Sequence, residues 1–222
     1  MKDSESEELE LTPELVLRAY GAGVFPMADD ASSEDVYWVD PRKRGILPLN
    51  GFHLSRSLRK RLLRQDYKVR VDTDFEQVLD RCADREETWI NEQIRELFVK
   101  LHRMGYAHSV EVWQEDALAG GLYGLRLGAA FFGESMFSGA RDGSKIALAW
   151  LVARLRAGRF TLLDTQFTTP HLERLGARLV PRSHYHELLE RALMRRGDFY
   201  SLTSDTSASE VIQLITHRSY RG

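Results

Sequence analysis

Cysteine is almost missing from this sequence: its 222 residues include one, Cys82. A single thiol cannot close an internal disulfide, and it excludes a multi-cysteine zinc site. Its surroundings, FEQVLDRCA, space their apolar residues as an amphipathic helix does, so Cys82 is expected as a small, partly buried core residue. Also missing is any apolar run near the roughly 18 residues that a membrane-crossing helix needs, so no membrane contact is expected. The first ten residues, MKDSESEELE, are acidic and polar rather than basic and then apolar. A secretory leader would start the other way, so a cytoplasmic location is expected. His184 and His186 lie two apart with no third ligand in view, so no metal is expected.

Hydrophobic residues make up 43% of the chain, enough for a substantial core, and the length suits one domain with a small appendage. The net charge of −2 is unevenly spread. Residues 1–40 carry 2 basic and 11 acidic side chains, whereas residues 41–70 carry 10 basic and 1 acidic. A basic block inside a neutral protein suggests a local polyanion contact; a solvated helix face is the alternative.

Thr12 and Pro13 form a helix start, and Gly21 and Gly23 end that helix. Residues 24–49, broken by Pro26, Pro41 and Pro48, are expected to be irregular. HLSRSLRKRLLRQ from His53 stacks Leu54, Leu58 and Leu62 on one side and its cations on the others. YKVRVDT alternates as a strand, residues 74–82 form a short helix, and Asn91 caps a longer one that stops at Gly105. Three strands follow, at 107–114, 117–126 and 129–137. Gly120, Gly121 and Gly124 signal a bulge or a close backbone approach. The helix SKIALAWLVARLRA leads into the apolar strand FTLLDTQF. A short helix at Pro170, a strand in ARLVPR and a helix over 182–196 complete the pattern.

A three-stranded meander feeding a helical crossover into a buried strand predicts an α/β (α+β) chain built like an N-acetyltransferase (GNAT) domain. The expected divisions are a small N-terminal α/β domain over 1–52, the acyltransferase-like domain over 53–198 and a flexible tail over 199–222. Fold alone does not decide function.

Asp164 and Gln166, two apart on a strand, share a face; such a pair is costly to bury without partners. A hydrogen-bonded structural pair and a functional pair both fit. Glu134, in AAFFGESMF, needs a cation or several donors if buried, either an arginine of this chain or a cationic substrate. Gly133-Glu134-Ser135 lacks the second glycine of a hydrolase elbow. Residues 141–145 (RDGSK) precede a helix and suit either phosphate binding or a charged turn, but lack the glycine-rich coenzyme A signature.

Several stretches together resemble one family. AYGAGVFPM, YWVDPRKRGILPL, FHLSRSLRK, TWINEQI, LHRMGYAHSVEVW, GGLYGLRLGAAFFGESMFS, SKIALAWLVARL and LLDTQFTTPHLERLGARLVPR run in order over about residues 15–185. They resemble leucyl/phenylalanyl-tRNA–protein transferases. The resemblance implies transfer of Leu, Phe or Met from aminoacyl-tRNA to proteins beginning with Arg or Lys, in the bacterial N-degron pathway. It implies no cofactor and no metal, and a monomer is expected. It places Asp164 and Gln166 as the catalytic pair and Glu134 at the acceptor site. Leu122, Phe131, Met136, Leu148, Leu151 and Leu163 fall where the family lines its apolar side-chain pocket. Trp89 matches an aromatic near the terminal adenosine, Trp38 another, and Arg56, Arg59 and Lys60 lie on the helix expected to meet tRNA. Tyr37-Trp38 stands where two tryptophans are common, the usual glycine-rich start is replaced by acidic residues, and several pocket positions are Leu rather than Met or Phe. Competing assignments are a different donor tRNA or an acidic acceptor terminus, an acetyl-CoA-dependent N-acetyltransferase, and a non-catalytic tRNA-binding protein.

Overall fold

The computed structural model describes residues 11–33, 35–64 and 66–217. Helix α1 (Pro13–Gly21) starts where the Thr12 hydroxyl accepts from Leu15 N, with Pro13 at its first position. The segment expected to be irregular instead holds three short strands, β1 (Phe25–Met27), β2 (Tyr37–Val39) and β3 (Lys43–Ile46). Their partners explain why spacing alone hid them: β1 and β2 pair across a long loop, and β3 pairs with strands more than 110 residues away.

Helix α2 (Arg56–Leu63) begins three residues after His53 because Ser55 caps it, its hydroxyl accepting from Leu58 N. Then come β4 (Lys68–Val71), α3 (Phe75–Ala83), α4 (Glu92–Arg103) capped by Asn91, β5 (Ala107–Gln114), β6 (Ala117–Leu127) and β7 (Ala130–Ser138). Helix α5 (Gly143–Ala157) crosses to β8 (Leu162–Gln166); α6 (Pro170–Arg174), β9 (Arg178–Pro181), α7 (Arg182–Leu193) and α8 (Ala208–Thr216) follow.

Seven strands form one mixed sheet in the order β4-β5-β6-β7-β8-β3-β9. All neighbours are antiparallel except β7 and β8, which α5 joins in parallel as the expected crossover. That pairing covers only Ala130–Phe132 against Leu162–Asp164. Beyond it β7 continues paired with β6 and β8 with β3 but not with each other, and Glu134 and Gln166 stand on these two ends. β3, from the segment before residue 53, lies between β8 and β9, and the sheet is continuous across that position.

The sheet separates two cores. On one side α5 packs with α2 and α8 over Val110, Leu122, Phe131 and Leu163. Helix α5 is buried on nearly every side, as its apolar composition requires. On the other side α1, α3, α4 and α7 cover Tyr123, Phe132 and Leu162, and Cys82 is in that core as expected, though fully rather than partly buried. Gly120 and Gly143 let the start of α5 touch β6: a Cβ on Gly143 would stand 2.2 Å from Ala119 O. The register of β6 against β7 shifts between Tyr123 and Gly124, the irregularity those glycines announced.

The expected flexible tail is corrected in part. Within residues 199–217, α8 is closed by a capping box between Ser207 and Glu210 and buries Val211, Ile212 and Ile215 against α5. Arg156 of α5 donates to Ile215 O at 2.6 Å and to His217 O, tying the segment down. Residues 218–222 lie outside the described residues.

Candidate active site

The site is assembled where β3 and β7 flank the end of β8. In register, Ile46 stands opposite Asp164 and Gly45 opposite Gln166. That register lets Arg44 reach Asp164, which is fully buried. Arg44 Nε donates to Asp164 Oδ1 and Oδ2 at 3.0 and 3.1 Å, and Nη2 donates to Oδ2 at 2.7 Å. Nη1 donates to Gly23 O at 3.1 Å. The guanidinium lies over the rings of Phe25 and Tyr185, 4.3 and 4.7 Å from their centroids. Tyr185 Oη donates to Asp164 Oδ2 at 2.6 Å. Burial opposes the charge on Arg44, but the facing carboxylate more than offsets it, and the guanidinium pKa lies above its ordinary value. Burial, then the same carboxylate, raises the pKa of the Tyr185 phenol.

Asp164 also shapes the chain beyond it. Its Oδ1 accepts from Gln166 N at 2.7 Å, a side-chain turn over two residues, and Gln166 takes the left-handed backbone, φ 56°. The partner of the Gln166 side chain is Glu134: Gln166 Nε2 donates to Glu134 Oε1 at 2.8 Å. Gln166 and Glu134 are 6% and 8% exposed, at the rim of the sheet rather than in solvent.

Burial pushes the Glu134 carboxyl up to about 8. Tyr20 and Gln166 pull in the opposite direction, and Asp164 adds to the rise. The Tyr20 hydroxyl is close enough to stabilise the carboxylate, yet neither it nor Glu134 Oε2 meets hydrogen-bond geometry. One buried carboxylate oxygen therefore remains without a donor. Arg44 is engaged by Asp164 and Gly23 O and makes no ion pair with Glu134. Cys82 supplies no nucleophile, because burial pushes its thiol up to about 12.

Two family models match this chain: "Leucyl/phenylalanyl-tRNA protein transferase" over residues 46–190 and its N-terminal domain over residues 10–42. A leucyl/phenylalanyl-tRNA–protein transferase of Ruegeria pomeroyi is 56% identical over 211 residues, 95% of this chain and all of that protein. Another from Ruegeria sp. strain TM1040 is 58% identical over 86% of this chain and 91% of its own length. The chain belongs to the leucyl/phenylalanyl-tRNA–protein transferase family. Among solved structures, L-PGS from Bacillus licheniformis aligns with 69% of the chain and 65% of its own at 15% identity, with a TM-score of 0.43.

In this transferase the six apolar residues, Leu122, Phe131, Met136, Leu148, Leu151 and Leu163, gather in one cluster on the α5 side of the sheet. Asp164 and Glu134 have their partners on the opposite side, where Tyr20 and Tyr185 pack. Alternation along β8 separates Leu163 from Asp164, so the two groups lie on opposite faces of the sheet. Five of the six are buried, and Met136 is partly exposed. None of three cavities, of about 650, 520 and 390 Å³, is lined by Asp164, Gln166 or Glu134, and Leu163 is the one member of the apolar cluster that lines any of them, the first.

Trp38 is exposed on β2, opposite Pro26 of β1, and Trp89 packs against the second core in the loop before α4. Asn91 Nδ2 donates to Ser33 O, joining that loop to the segment before β2. Arg56, Arg59 and Lys60 are exposed, while Leu58 and Leu62 bury the other face of α2. Four residues at the site escaped the reading of sequence pattern: Arg44, Tyr20, Tyr185 and the exposed Phe167, which meets Phe25 edge-on at 5.8 Å. Arg44 was hidden inside a basic run; the apolar Ile46-Leu47 shortly after it was its one sign of burial.

Proposed function

We propose that this chain moves Leu, Phe or Met from aminoacyl-tRNA onto proteins that begin with Arg or Lys, marking them for degradation in the bacterial cytoplasm. It acts as a monomer with an N-acetyltransferase-like fold. The β5-β6-β7 meander, the α5 crossover and the parting of β7 from β8 support that fold assignment. The proposed small N-terminal domain over residues 1–52 gives the catalytic sheet one of its strands, β3, and with it Arg44.

The observation that carries the mechanism is the Gln166–Glu134 hydrogen bond at the parting of two strands. Transfer is aminolysis: the acceptor's α-amine attacks the ester carbonyl, a C–N bond forms and the C–O bond to the ribose breaks. One amine proton leaves, and the ribose oxygen gains one. An α-amine with a pKa near 8 is partly neutral already, so alignment is the chief requirement. With Nε2 engaged by Glu134, Gln166 presents Oε1 to the amine N–H. Arg44 and Asp164 hold the left-handed turn that aims it. The unpartnered Oε2 of Glu134 receives the cationic first residue of the acceptor.

The donor side chain enters the α5-side cluster past Met136, whose flexible thioether moves most easily. Burial of a Leu or Phe there is worth about 1.5–3 kcal/mol. The test pairs individually charged tRNAs with peptides starting with Arg, Lys, Asp or Glu, with products identified by mass. Leu or Phe on Arg and Lys peptides is expected; products on acidic peptides alone would overturn the acceptor assignment. Gln166→Ala should lower kcat about a hundredfold or more with thermal stability retained. Wild-type turnover in that variant would defeat its catalytic role.

A further inference from the structure

The cavity of about 650 Å³ lies at the end of β8 away from Gln166. Ile46, Leu47, Phe160 and Leu162 form its floor, and Arg159, Arg178, Arg195 and Arg196 stand around it. No aspartate or glutamate lines it. Arg156, also at the wall, is occupied by the carbonyls of Leu49 and Ile215. The other four arginines are exposed and enter no ion pair among the described residues; His184, beside them, lies 3.5 Å from Glu187. Four like charges around one opening repel one another, and a bound anion relieves that repulsion. Arginine forks match phosphate oxygens in pairs.

We propose that this cavity is a second phosphate-binding site, which grips the RNA backbone of the donor away from its reactive end. The inference rests on the aminoacyl-tRNA reading above. From Leu162 to Gln166 is four strand steps, about 13 Å, so a single RNA with its 3′ end at Gln166 has backbone within reach of both places. The four arginines come from the turn after α5, from β9 and from the turn after α7, so no charge run in the sequence announces them.

The test uses the full chain with two variants, Arg195→Ala/Arg196→Ala and Arg159→Gly. Glycine suits the second position because Arg159 already holds a φ of 60°. Uncharged tRNA binding is measured by fluorescence anisotropy over a salt series. Transfer is measured from aminoacyl-tRNA and from aminoacyl-adenosine, which carries no phosphate for the second site to hold. Weaker tRNA binding is expected, with the salt slope reduced by about 1 for each phosphate left without its arginine. The KM for aminoacyl-tRNA should rise while transfer from aminoacyl-adenosine is unchanged. Unaltered tRNA affinity and slope would overturn the proposal, as would equal losses with both donors, which would mean structural damage. ATP serves as the probe for a free nucleotide: if the variants lose ATP binding and keep tRNA binding, the cavity belongs to a small ligand and the proposal fails. A wild-type chain that binds tRNA in this way but transfers from neither donor would overturn the transferase reading and leave the cavity assignment standing.

Discussion

Asp164 has two duties that mutagenesis must separate. It faces a buried arginine through three hydrogen bonds and also fixes the Gln166 backbone. Asp164→Ala leaves Arg44 charged and unpaired in the core, which should cost about 3–5 kcal/mol of stability. Urea unfolding monitored by tryptophan fluorescence will register that loss, and an unchanged midpoint would mean that the pair is solvated. Loss of transfer in Asp164→Ala therefore says little about catalysis unless the protein is shown to be folded. Glu134 gives a cleaner signal. Unfolded, its carboxyl releases a proton near pH 4.5; folded, near pH 8. Between those values the folded chain holds the extra proton, so this group's contribution is complete below about pH 4.5 and is lost as pH rises through 8. Glu134→Gln removes that dependence. Its melting temperature should gain on the parent's from pH 5 to pH 8.5, and a difference that stays flat with pH would contradict the raised pKa. Acceptor binding should show the opposite trend, since a cation recruits the ionised carboxylate: KM for an Arg peptide should fall toward pH 8 in the parent and lose that trend in the variant.

At the scale of elements, caps and glycines carried most of the legible information. Thr12-Pro13, Asn91 and Gly158 mark helix ends where the helices do begin and stop. The meander and the crossover followed from alternation and length. The short strands did not, because a strand of three or four residues has no periodicity of its own and is defined by a distant partner. Helix α8 was legible in principle: Ser207 and Glu210 spell a capping box ahead of Val211, Ile212 and Ile215. The serines and threonines before it outweighed that signal. Ile215 is 4% exposed and packs into the same core as Leu148 and Leu151. Ile215→Ala should therefore destabilise the whole chain by about 2–5 kcal/mol. A denaturation midpoint within error of the parent's would show that α8 is not part of the cooperative unit.

Across the whole molecule, a net charge near zero hides a segregated distribution. Asp164 and Gln166 stood out in the sequence as a carboxylate and an amide on one face of an apolar strand, but pattern alone fitted a structural pair as well, and only the family resemblance implied a catalytic one. The arginine that neutralises Asp164 did not stand out, because in one dimension Arg44 is indistinguishable from the cations that follow. Those later cations behave differently. Leu58 and Leu62 hold α2 against α5 and α8, which obliges Arg56, Arg59 and Lys60 to face outward. Arg61 is spent on Asp66 and on the Tyr67 ring. The outward three enter no ion pair among the described residues, so phosphate is their natural counter-charge. Alanine is a better helix former than either side chain it replaces, so Arg56→Ala/Arg59→Ala/Lys60→Ala should keep α2 intact. If these cations touch the tRNA backbone, the variant's plot of log affinity against log salt should flatten by about 1 per phosphate, two to three in all. Its affinity should approach the parent's at high salt, where counterion release no longer favours the parent. Two parallel salt plots would place the RNA on another face of the protein, and α2 would then be a solvated helix and nothing more.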